Sequence, residues 1–311
     1  MQQHTSSPKK VAIAGTGCLA RYFIEEFTCH GHDLVVLTRT RKSFLDEMRV
    51  TQRVTDYTVN DLRDCLDDCD TILSFINAPY PTHTEIHLNI LQACRLSRKC
   101  KRFIPAEWAI NIEDFPEHPM FNTDSREPIR EALKRQNEIQ YTFVCHGWFM
   151  DYLVPVAQRH ISEIGEGWPM NHEQKVFMLY GDGHSFLSLT SCRDLARAIA
   201  ILLDHSTWEE YTHISGHTLT YLDLFAIIQA RDRNWILKKT TLADVVNRIV
   251  EAKSTTTKAN SAQLQLMGFV GCNSEPEAKV KAQRDTYFSH IRFRNIHEFL
   301  DQALAHPEEI P

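Results

Sequence analysis

The stretch VAIAGTGCLARYF, residues 11–23, decides how this chain is expected to fold. An apolar run reaches Gly15, and Gly17 and Ala20 complete a GxGxxA pattern that opens a segment with helical apolar spacing. Gly15 permits a tight turn, Gly17 lets the backbone approach a ligand, and Ala20 permits close helix–strand contact. This order of strand, turn and helix predicts a dinucleotide-binding unit with the pyrophosphate at the helix N-terminus.

Strand-like and helix-like segments alternate through the first half of the chain. The predicted strands are KVAIAG, HDLVVLTR, QRVTDYT, DTILSFIN, KRFIPAEW and IQYTFVCHGWF, and the main helices between them begin with CLARYF, VNDLRD, THTEIH and SREPIR. Apolar strands separated by helices imply a parallel sheet that is covered on both faces. Right-handed crossovers then give an α/β fold, a Rossmann-type doubly wound parallel sheet.

The alternation loosens after about residue 150, where a smaller, mainly helical substrate-binding part is expected. KVFMLYGDGHSFLSLTS predicts two strands joined at a Gly-Asp-Gly turn, and helices are expected near Ser191 and after Thr220. The polar segment EAKSTTTKANSAQ is expected to be mobile. We divide the chain into a flexible leader (1–9), a dinucleotide-binding domain (10–155) and a substrate-binding or lid region (156–311) interleaved with the main sheet.

Composition excludes several classes of function. The 311 residues are 43% apolar and 24% charged, and the net charge of -6 comes without a basic run that would attract nucleic acid. No apolar stretch approaches the length of about 18 residues that spans a bilayer, and MQQHTSSPKK lacks the apolar core of a secretory signal. The nine cysteines form no CxxC pair and no HExxH occurs, so we expect a cytoplasmic protein without a metal site.

The end of the second predicted strand is basic. An NAD-binding unit usually has Asp or Glu at this point, but the sequence LTRTRK offers Arg39, Arg41 and Lys42. Because these cations attract a 2′-phosphate that a carboxylate would repel, NADP(H) is expected instead of NAD(H). A basic loop without a ligand is the alternative interpretation. The residues expected to bind the cofactor are Gly15, Thr16, Gly17, Cys18, Leu19, Thr38, Arg39, Arg41, Lys42, Asn77, Pro105, Glu107 and Arg126.

These motifs resemble a known family. Together with KRFIPAEW, PIREALKRQNEIQYTFVCHGWFMDYLVP and FLSLTSCRDLARAIAILLD, they make residues 10–305 similar to the NmrA-like and isoflavone-reductase-like atypical short-chain dehydrogenases, especially fungal members. The resemblance implies a Rossmann-type domain, NADP(H) as cofactor and a cleft closed by the C-terminal part. Members include reductases of plant phenolics, cofactor-sensing regulators without catalysis and enzymes of fungal secondary metabolism, so the fold alone does not choose among them.

The chain departs from the family pattern at two places. The usual turn is GxxGxxG, whereas this chain has the shorter GxGxxA. The catalytic lysine of the reductases lies shortly before an Ile-Arg pair, and alignment on Ile129–Arg130 places Arg126 at that position. Arginine does not release its proton in proteins, so Arg126 is expected to hold an anion or a cofactor phosphate without acting as a general acid or base.

The carboxyl ends of the predicted strands carry the other candidate residues, because ligands of open parallel sheets bind there. Glu107 is expected beside the nicotinamide as an acid or base, or else as a partner of Arg126. Asp151 has the same two interpretations, and Tyr152 is a further catalytic candidate. The expected substrate pocket contains Tyr80, Trp108, Asn111, His146, Trp148 and Phe149. Its aromatic side chains suit a flat or indolic substrate, although packing in the core would also explain them.

Three hypotheses of function follow. The first is an NADPH-dependent reductase of a C=C, C=O or C=N bond in a secondary metabolite, such as an indole alkaloid. The second is a non-redox enzyme of condensation or cyclisation, for example of the Pictet–Spengler type, which keeps NADP as a structural element. The third is a regulator that senses NADP without catalysis. The expected partner is a small aromatic or alkaloid-like molecule, and the expected state is a monomer or homodimer.

Overall fold

The computed structural model describes residues 8–252 and 257–311. Most of the predicted leader, residues 1–7, therefore lies outside the described residues. The same holds for residues 253–256 in the middle of EAKSTTTKANSAQ, while residues 257–263 of that segment are helical. No helix in the described part of the chain combines the length and the apolarity that crossing a membrane requires.

Six strands of the described chain form the central sheet, and every neighbouring pair in it is parallel. They are β1 (Lys10–Ala14), β2 (Asp33–Thr38), β3 (Thr51–Val54), β4 (Thr71–Ser74), β5 (Arg102–Ile104) and β6 (Gln140–Tyr141). Their order is β3-β2-β1-β4-β5-β6, so the direction of winding reverses between β1 and β4. This is the predicted Rossmann-type sheet, and its ligand crevice lies outside the carboxyl ends of β1 and β4.

Five helices connect these strands within the described residues. They are α1 (Cys18–His30), α2 (Ser43–Glu47), α3 (Val59–Leu66), α4 (Thr82–Leu96) and α5 (Thr123–Lys134). Helix α1 buries Phe23 and Phe27 completely, as its apolar spacing predicts. It ends at Gly31, whose left-handed φ of 92° lets its amide donate to the carbonyl groups of Phe27 and Thr28.

The C-terminal part is a mixture of strands and helices, whereas the sequence predicted mainly helices. Two short strands end the first half of the chain, β7 (Phe143–Cys145) and β8 (Trp148–Phe149). The strands of the C-terminal part are β9 (Met170–Asn171), β10 (Val176–Tyr180), β11 (Phe186–Thr190), β12 (Tyr211–His213), β13 (His217–Thr220) and β14 (Ile236–Thr240). Its helices are α6 (Cys192–Asp204), α7 (Tyr221–Arg231), α8 (Leu242–Glu251), α9 (Thr257–Val270), α10 (Glu277–Tyr287) and α11 (Ile296–Ala305).

One strand prediction was wrong in detail, and the two strands predicted around the Gly-Asp-Gly turn are confirmed as β10 and β11. The segment IQYTFVCHGWF is three short strands in three sheets, because only β6 joins the central sheet while β7 pairs with β12 and β8 with β11. The chain bends at Gly147, which has φ of 70° and lies so close to Ser188 that a Cβ would be 2.2 Å from its carbonyl oxygen. Strands β10 and β11 exist but do not pair with each other: β10 pairs with β9 and β14, and β11 with β8 and β13.

The predicted helix starts in the C-terminal part are confirmed. The Ser191 hydroxyl accepts from the amide of Asp194 at 3.2 Å, and Thr220 forms a reciprocal capping box with Asp223 at the start of α7. Helix α6 packs against α1, where Arg193 forms ion pairs with carboxylates of α1. The C-terminal part is therefore joined to the central sheet by both apolar packing and charge.

Candidate active site

The turn between β1 and α1 has the geometry of an anion cradle. Gly15 adopts φ of 95°, its amide donates to the carbonyl of Leu37 at 3.1 Å, and an added Cβ would lie 3.2 Å from Ile76. Gly17 differs, since it caps α1 with φ of -66° and no heavy atom lies within 4 Å of an added Cβ. Neither strain nor packing requires glycine at position 17. The space beside it, at a helix N-terminus without an acidic first turn, is the kind that a phosphate occupies.

The end of β2 contributes unpaired positive charge. Arg39 is exposed, with its guanidinium carbon 5.8 Å from the ring centre of Tyr57, and it lines an open groove of about 680 Å³. Among the described residues no carboxylate lies within ion-pair distance of Arg39 or Lys42, whereas Arg41 is 2.6 Å from Asp46. The groove also contains the carboxylates Asp56, Asp61 and Asp64. Arg39 therefore makes one side of the groove positive, while the three aspartates line the rest.

A buried ionic cluster follows β5. Glu107 accepts two hydrogen bonds from Arg130, from Nε to Oε1 at 2.9 Å and from Nη2 to Oε2 at 3.0 Å. Arg126 is farther away, with Nη1 3.5 Å from Oε2 of Glu107. The charge of Glu107 raises the pKa of Arg130 although burial lowers it, and burial lowers the pKa of Arg126. Glu107 thus pairs with Arg130 first, which engages both of its oxygens, while the predicted partner Arg126 lies only at ion-pair distance.

Two histidines of α4 lie beside this cluster. The rings of His83 and His87 stack with centres 4.1 Å apart, and burial lowers their pKa values to about 4 and about 3. His87 is satisfied, since Nδ1 donates to the carbonyl of His83 at 2.7 Å and Nε2 accepts from the amide of Ala106 at 3.4 Å. Nδ1 of His83 is buried without a hydrogen-bond partner. The Thr84 hydroxyl donates to the carbonyl of Ser125 at 2.7 Å, so α4 and α5 pack together where they carry His83 and Arg126. After burial, the positive charge of Arg126 also lowers the pKa of His83.

Asp151 and Tyr152 lie after β8, away from contact with Glu107. Asp151 is fully buried and accepts from the backbone amide of Cys192 at 2.8 Å, so it binds the first turn of α6, and burial raises its pKa. Tyr152 packs with Trp148 and Trp168, with ring centres 6.1 Å and 5.5 Å away. Burial also raises the pKa of its hydroxyl, which keeps it a neutral donor. These contacts are structural, but Oδ1 of Asp151 is buried without a hydrogen-bond partner among the described residues, and the catalytic roles expected for both residues stay predictions.

The aromatic residues do not form one wall. Trp108 stacks on Phe75 at 4.7 Å and donates from Nε1 to the carbonyl of Ser74 at 2.8 Å, in a different ring cluster from that of Trp148. Tyr80 is 63% exposed on the loop after β4, and the substrate pocket expected from these residues stays a prediction. Trp168 helps to line a groove of about 560 Å³, whereas Trp148 and Tyr152 are buried and do not line it.

The remaining candidates are distributed around the carboxyl ends of the strands. His146 is buried, stacks on Phe149 at 4.4 Å, and has no hydrogen-bond partner at either ring nitrogen within the described structure. Burial lowers its pKa to about 4. Asn111 donates to Asp114 at 2.8 Å in its own loop, which satisfies its amide locally. Thr16 and Leu19 are partly buried, Cys18 lies 3.2 Å from the Ser162 hydroxyl, Thr38 and Pro105 are buried, and Asn77 is exposed.

Sequence reasoning missed His83, His87 and Arg130. A signal existed for the histidines, because THTEIHL follows the fourth strand directly and puts them four positions apart on one helix face. Arg130 belongs to the Ile-Arg pair that served only for alignment. Whether Arg126 or Arg130 binds the Glu107 carboxylate depends on the tertiary structure and cannot be predicted from the spacing of the residues in the sequence.

One buried group outside this region could in principle ligate a metal. Cys145, His213 and Glu275 have ligand atoms within 4.8 Å of one another. Both ring nitrogens of His213 are engaged, Nδ1 with Glu275 and Nε2 with Glu113, each at 2.7 Å. Burial lowers the pKa of His213, but these hydrogen bonds and charges raise it overall. His213 thus lies between two carboxylates, which favour its protonated form.

Fold and glycine turn together define a Rossmann-type protein with a dinucleotide-type crevice. The chain belongs to the NmrA-like family, whose model matches residues 7–300. Two relatives called oxidoreductase swnR, from Arthroderma benhamiae and Metarhizium robertsii, are each 38% identical over 304 residues, which is 97% of this chain and 99% of each relative. The resemblance stated from the sequence is thereby confirmed.

Solved structures agree with the fold. AtPrR2 with NADP+ and (+)pinoresinol superimposes with a TM-score of 0.77 at 18% identity, covering 96% of this chain and 99% of that chain. The leucoanthocyanidin reductase–NADPH complex from Vitis vinifera gives 0.73 at 16% identity, covering 95% and 99%. These likenesses show the architecture of this chain.

Proposed function

We propose that this protein is an NADPH-dependent reductase that acts on a C=C, C=O or C=N bond of a small secondary metabolite. The observation that carries the proposal is the open space beside Gly17 at the N-terminus of α1. A methyl group would fit there without clash in the protein alone, so glycine at this position is best explained by a ligand. Arg39 and Lys42, which lack carboxylate partners among the described residues, would hold the 2′-phosphate that distinguishes NADP(H).

The relatives support an oxidoreductase with this cofactor. The two fungal relatives with 38% identity carry the name oxidoreductase, and the neighbouring solved structures hold NADP+ or NADPH. Trp168, which packs against Trp148 and Tyr152 and lines an open groove, supports an aromatic or alkaloid-like substrate. When bound, NADPH supplies the hydride.

The residues of the chain would bind and orient the reactants. The bidentate pair of Glu107 and Arg130 fixes the loop after β5 against α5 and thereby positions Arg126. Arg126 keeps its charge at every physiological pH, so it contributes electrostatic attraction, and the proton that accompanies the hydride would come from water. Within the described residues, the contact of Asp151 Oδ2 with the amide of Cys192 and the ring contacts of Tyr152 are structural, while Oδ1 of Asp151 has no hydrogen-bond partner and would be free to contact a ligand.

The test is a cofactor-oxidation assay. Purified protein and NADPH are mixed with a panel of small aromatic enones, ketones and cyclic imines, and the absorbance of reduced nicotinamide is followed. We expect substrate-dependent loss of this absorbance with NADPH and much slower loss with NADH. The proposal is wrong if products form while the absorbance of NADPH stays constant.

The arginine at position 126 favours a second candidate. A non-redox condensation or cyclisation of the Pictet–Spengler type needs no proton-transferring lysine there and would keep NADP as a structural element. It needs an available acid or base, however, and both oxygens of Glu107 are engaged by Arg130. Equal product formation with NADP+ and NADPH, starting from an amine and an aldehyde, would support this candidate over the reductase.

A further inference from the structure

Arg126 is a cation without an anion of its own. The carboxylate nearest to it belongs to Glu107, at 3.5 Å, and Arg130 already binds both oxygens of that carboxylate at 2.9 and 3.0 Å. No hydrogen bond to Arg126 occurs within the described residues, although its side chain is only 11% exposed. The guanidinium therefore retains free N–H donors in a largely desolvated place.

The local charges do not balance around Arg126. Two guanidinium groups, of Arg126 and Arg130, share one buried carboxylate. Glu127 is 3.8 Å from Arg130 but is 47% exposed, so water screens its charge. A desolvated cation with an incomplete partner is costly, and the site is accordingly suited to one additional anion.

His83 supplies a second free polar atom near Arg126. It lies in the first turn of α4, is 1% exposed, and its Nδ1 has no hydrogen-bond partner in the described structure. Burial lowers its pKa to about 4, so the ring is neutral at neutral pH and carries a single N–H, which the backbone of Ile76 also attracts. Nδ1 donates to a ligand only in the tautomer that has the proton on this nitrogen. Leaving a buried polar atom unpaired costs about 1–3 kcal/mol, which a ligand atom would recover.

The position of these two groups distinguishes them from the cradle for the pyrophosphate. The cradle lies at the N-terminus of α1 after β1, and Arg39 follows β2. Arg126 and His83 lie after β5 and β4, on the other side of the point where the winding reverses. In this fold a dinucleotide bound across the crevice places its adenosine on the β2 side, so the β4–β5 side remains for the substrate.

We propose that Arg126 and His83 form a subsite for a carboxylate group of the substrate, next to the bond that is reduced. A planar carboxylate matches the two-pronged donors of a guanidinium, and the imidazole N–H can bind a remaining lone pair. Arginine suits the binding of a carboxylate better than lysine does, because arginine remains protonated when it is buried. This inference rests on the proposed function and adds the chemical class of the substrate.

The test compares a carboxylate with its uncharged counterpart. Protein saturated with NADP+ is titrated calorimetrically with benzoate and acetate, and separately with benzamide and acetamide. We expect the acids to bind at least about 10-fold more tightly than the amides, a difference of about 1.4 kcal/mol. Arg126→Gln should abolish this preference, Arg126→Lys should retain part of it, and His83→Leu should reduce it several-fold.

Controls separate this inference from the underlying proposal. Arg135→Gln removes a charge from the exposed end of the same helix, where the side chain is 76% exposed, and should change nothing. Thermal unfolding and NADP+ affinity of each variant report on folding and on the cofactor site. Failure of the wild type to bind NADP+ contradicts the proposed function. Normal NADP+ binding without preference for the acids, or a preference that survives Arg126→Gln, contradicts the carboxylate subsite alone.

Discussion

Alanine substitution at the two glycines of the β1–α1 turn should have opposite consequences. At Gly15 the left-handed φ of 95° and the 3.2 Å approach to Ile76 both oppose a side chain. Strain of this kind costs about 1–3 kcal/mol, so Gly15→Ala should lower the free energy of unfolding by that amount. For a chain of this size we expect the midpoint of thermal unfolding to fall by roughly 2–6 °C.

Gly17→Ala should leave the stability almost unchanged. Its φ of -66° is ordinary, and nothing lies within 4 Å of the new methyl group. The lower entropy of the unfolded chain favours alanine by about 0.4–1 kcal/mol, while the loss of a good N-cap residue disfavours it by a similar amount. The methyl group would, however, occupy the space assigned to the pyrophosphate, and NADPH affinity should fall at least about 10-fold, or 1.4 kcal/mol.

The assay combines thermal unfolding with calorimetric titration of NADPH for the wild type and both variants. The expected result is a stable Gly17→Ala protein that binds NADPH poorly and a destabilised Gly15→Ala protein. Wild-type NADPH affinity in Gly17→Ala would show that the space beside this glycine does not receive the cofactor. Equal loss of stability in both variants would refute the geometric distinction between them.

Two further predictions concern buried charges. Glu107→Gln leaves Arg130 without its carboxylate and should lower the free energy of unfolding by about 3–5 kcal/mol in chemical denaturation. The control Glu131→Gln removes an exposed ion pair and should cost under about 1 kcal/mol. Equal effects of the two substitutions would contradict a buried pair. The pKa of His213 is higher in the folded protein than in the unfolded chain, where it is about 6.5. The stability that His213 gives the folded protein is therefore complete below pH 6.5 or so and is lost as the pH rises through the folded-state pKa. Unfolding of His213→Gln should therefore depend less on pH in the alkaline range, and an unchanged slope would contradict the bond to Glu275.

Local patterns predicted the fold well because its elements carry local signals. The apolar run before Gly15, the left-handed Gly31 after α1 and the caps Ser191 and Thr220 each act within a few residues of where they lie. The order of the central strands follows from crossover rules once the alternation is recognised. These features do not require knowledge of distant contacts.

Long-range contacts account for what the sequence did not predict. IQYTFVCHGWF has uniform strand character, but Thr142 bonds Thr212 at 2.7 Å and Gly147 packs on Ser188, which divides it among three sheets. In the site, spacing located Glu107 at a strand end and could not choose between Arg126 and Arg130 as its partner. That choice depends on how α5 lies against β5.

The central claim is that basic side chains after β2 select a 2′-phosphorylated dinucleotide. The most direct measurement is calorimetric binding of NADPH and NADH to the wild type, to the double variant Arg39→Gln/Lys42→Gln, and to Arg41→Gln, whose charge is already paired with Asp46. We predict that the wild type prefers NADPH by more than about 10-fold, that the double variant loses this preference with little change for NADH, and that Arg41→Gln retains most of it. Equal affinity for the two cofactors, or no binding of either, would contradict the account.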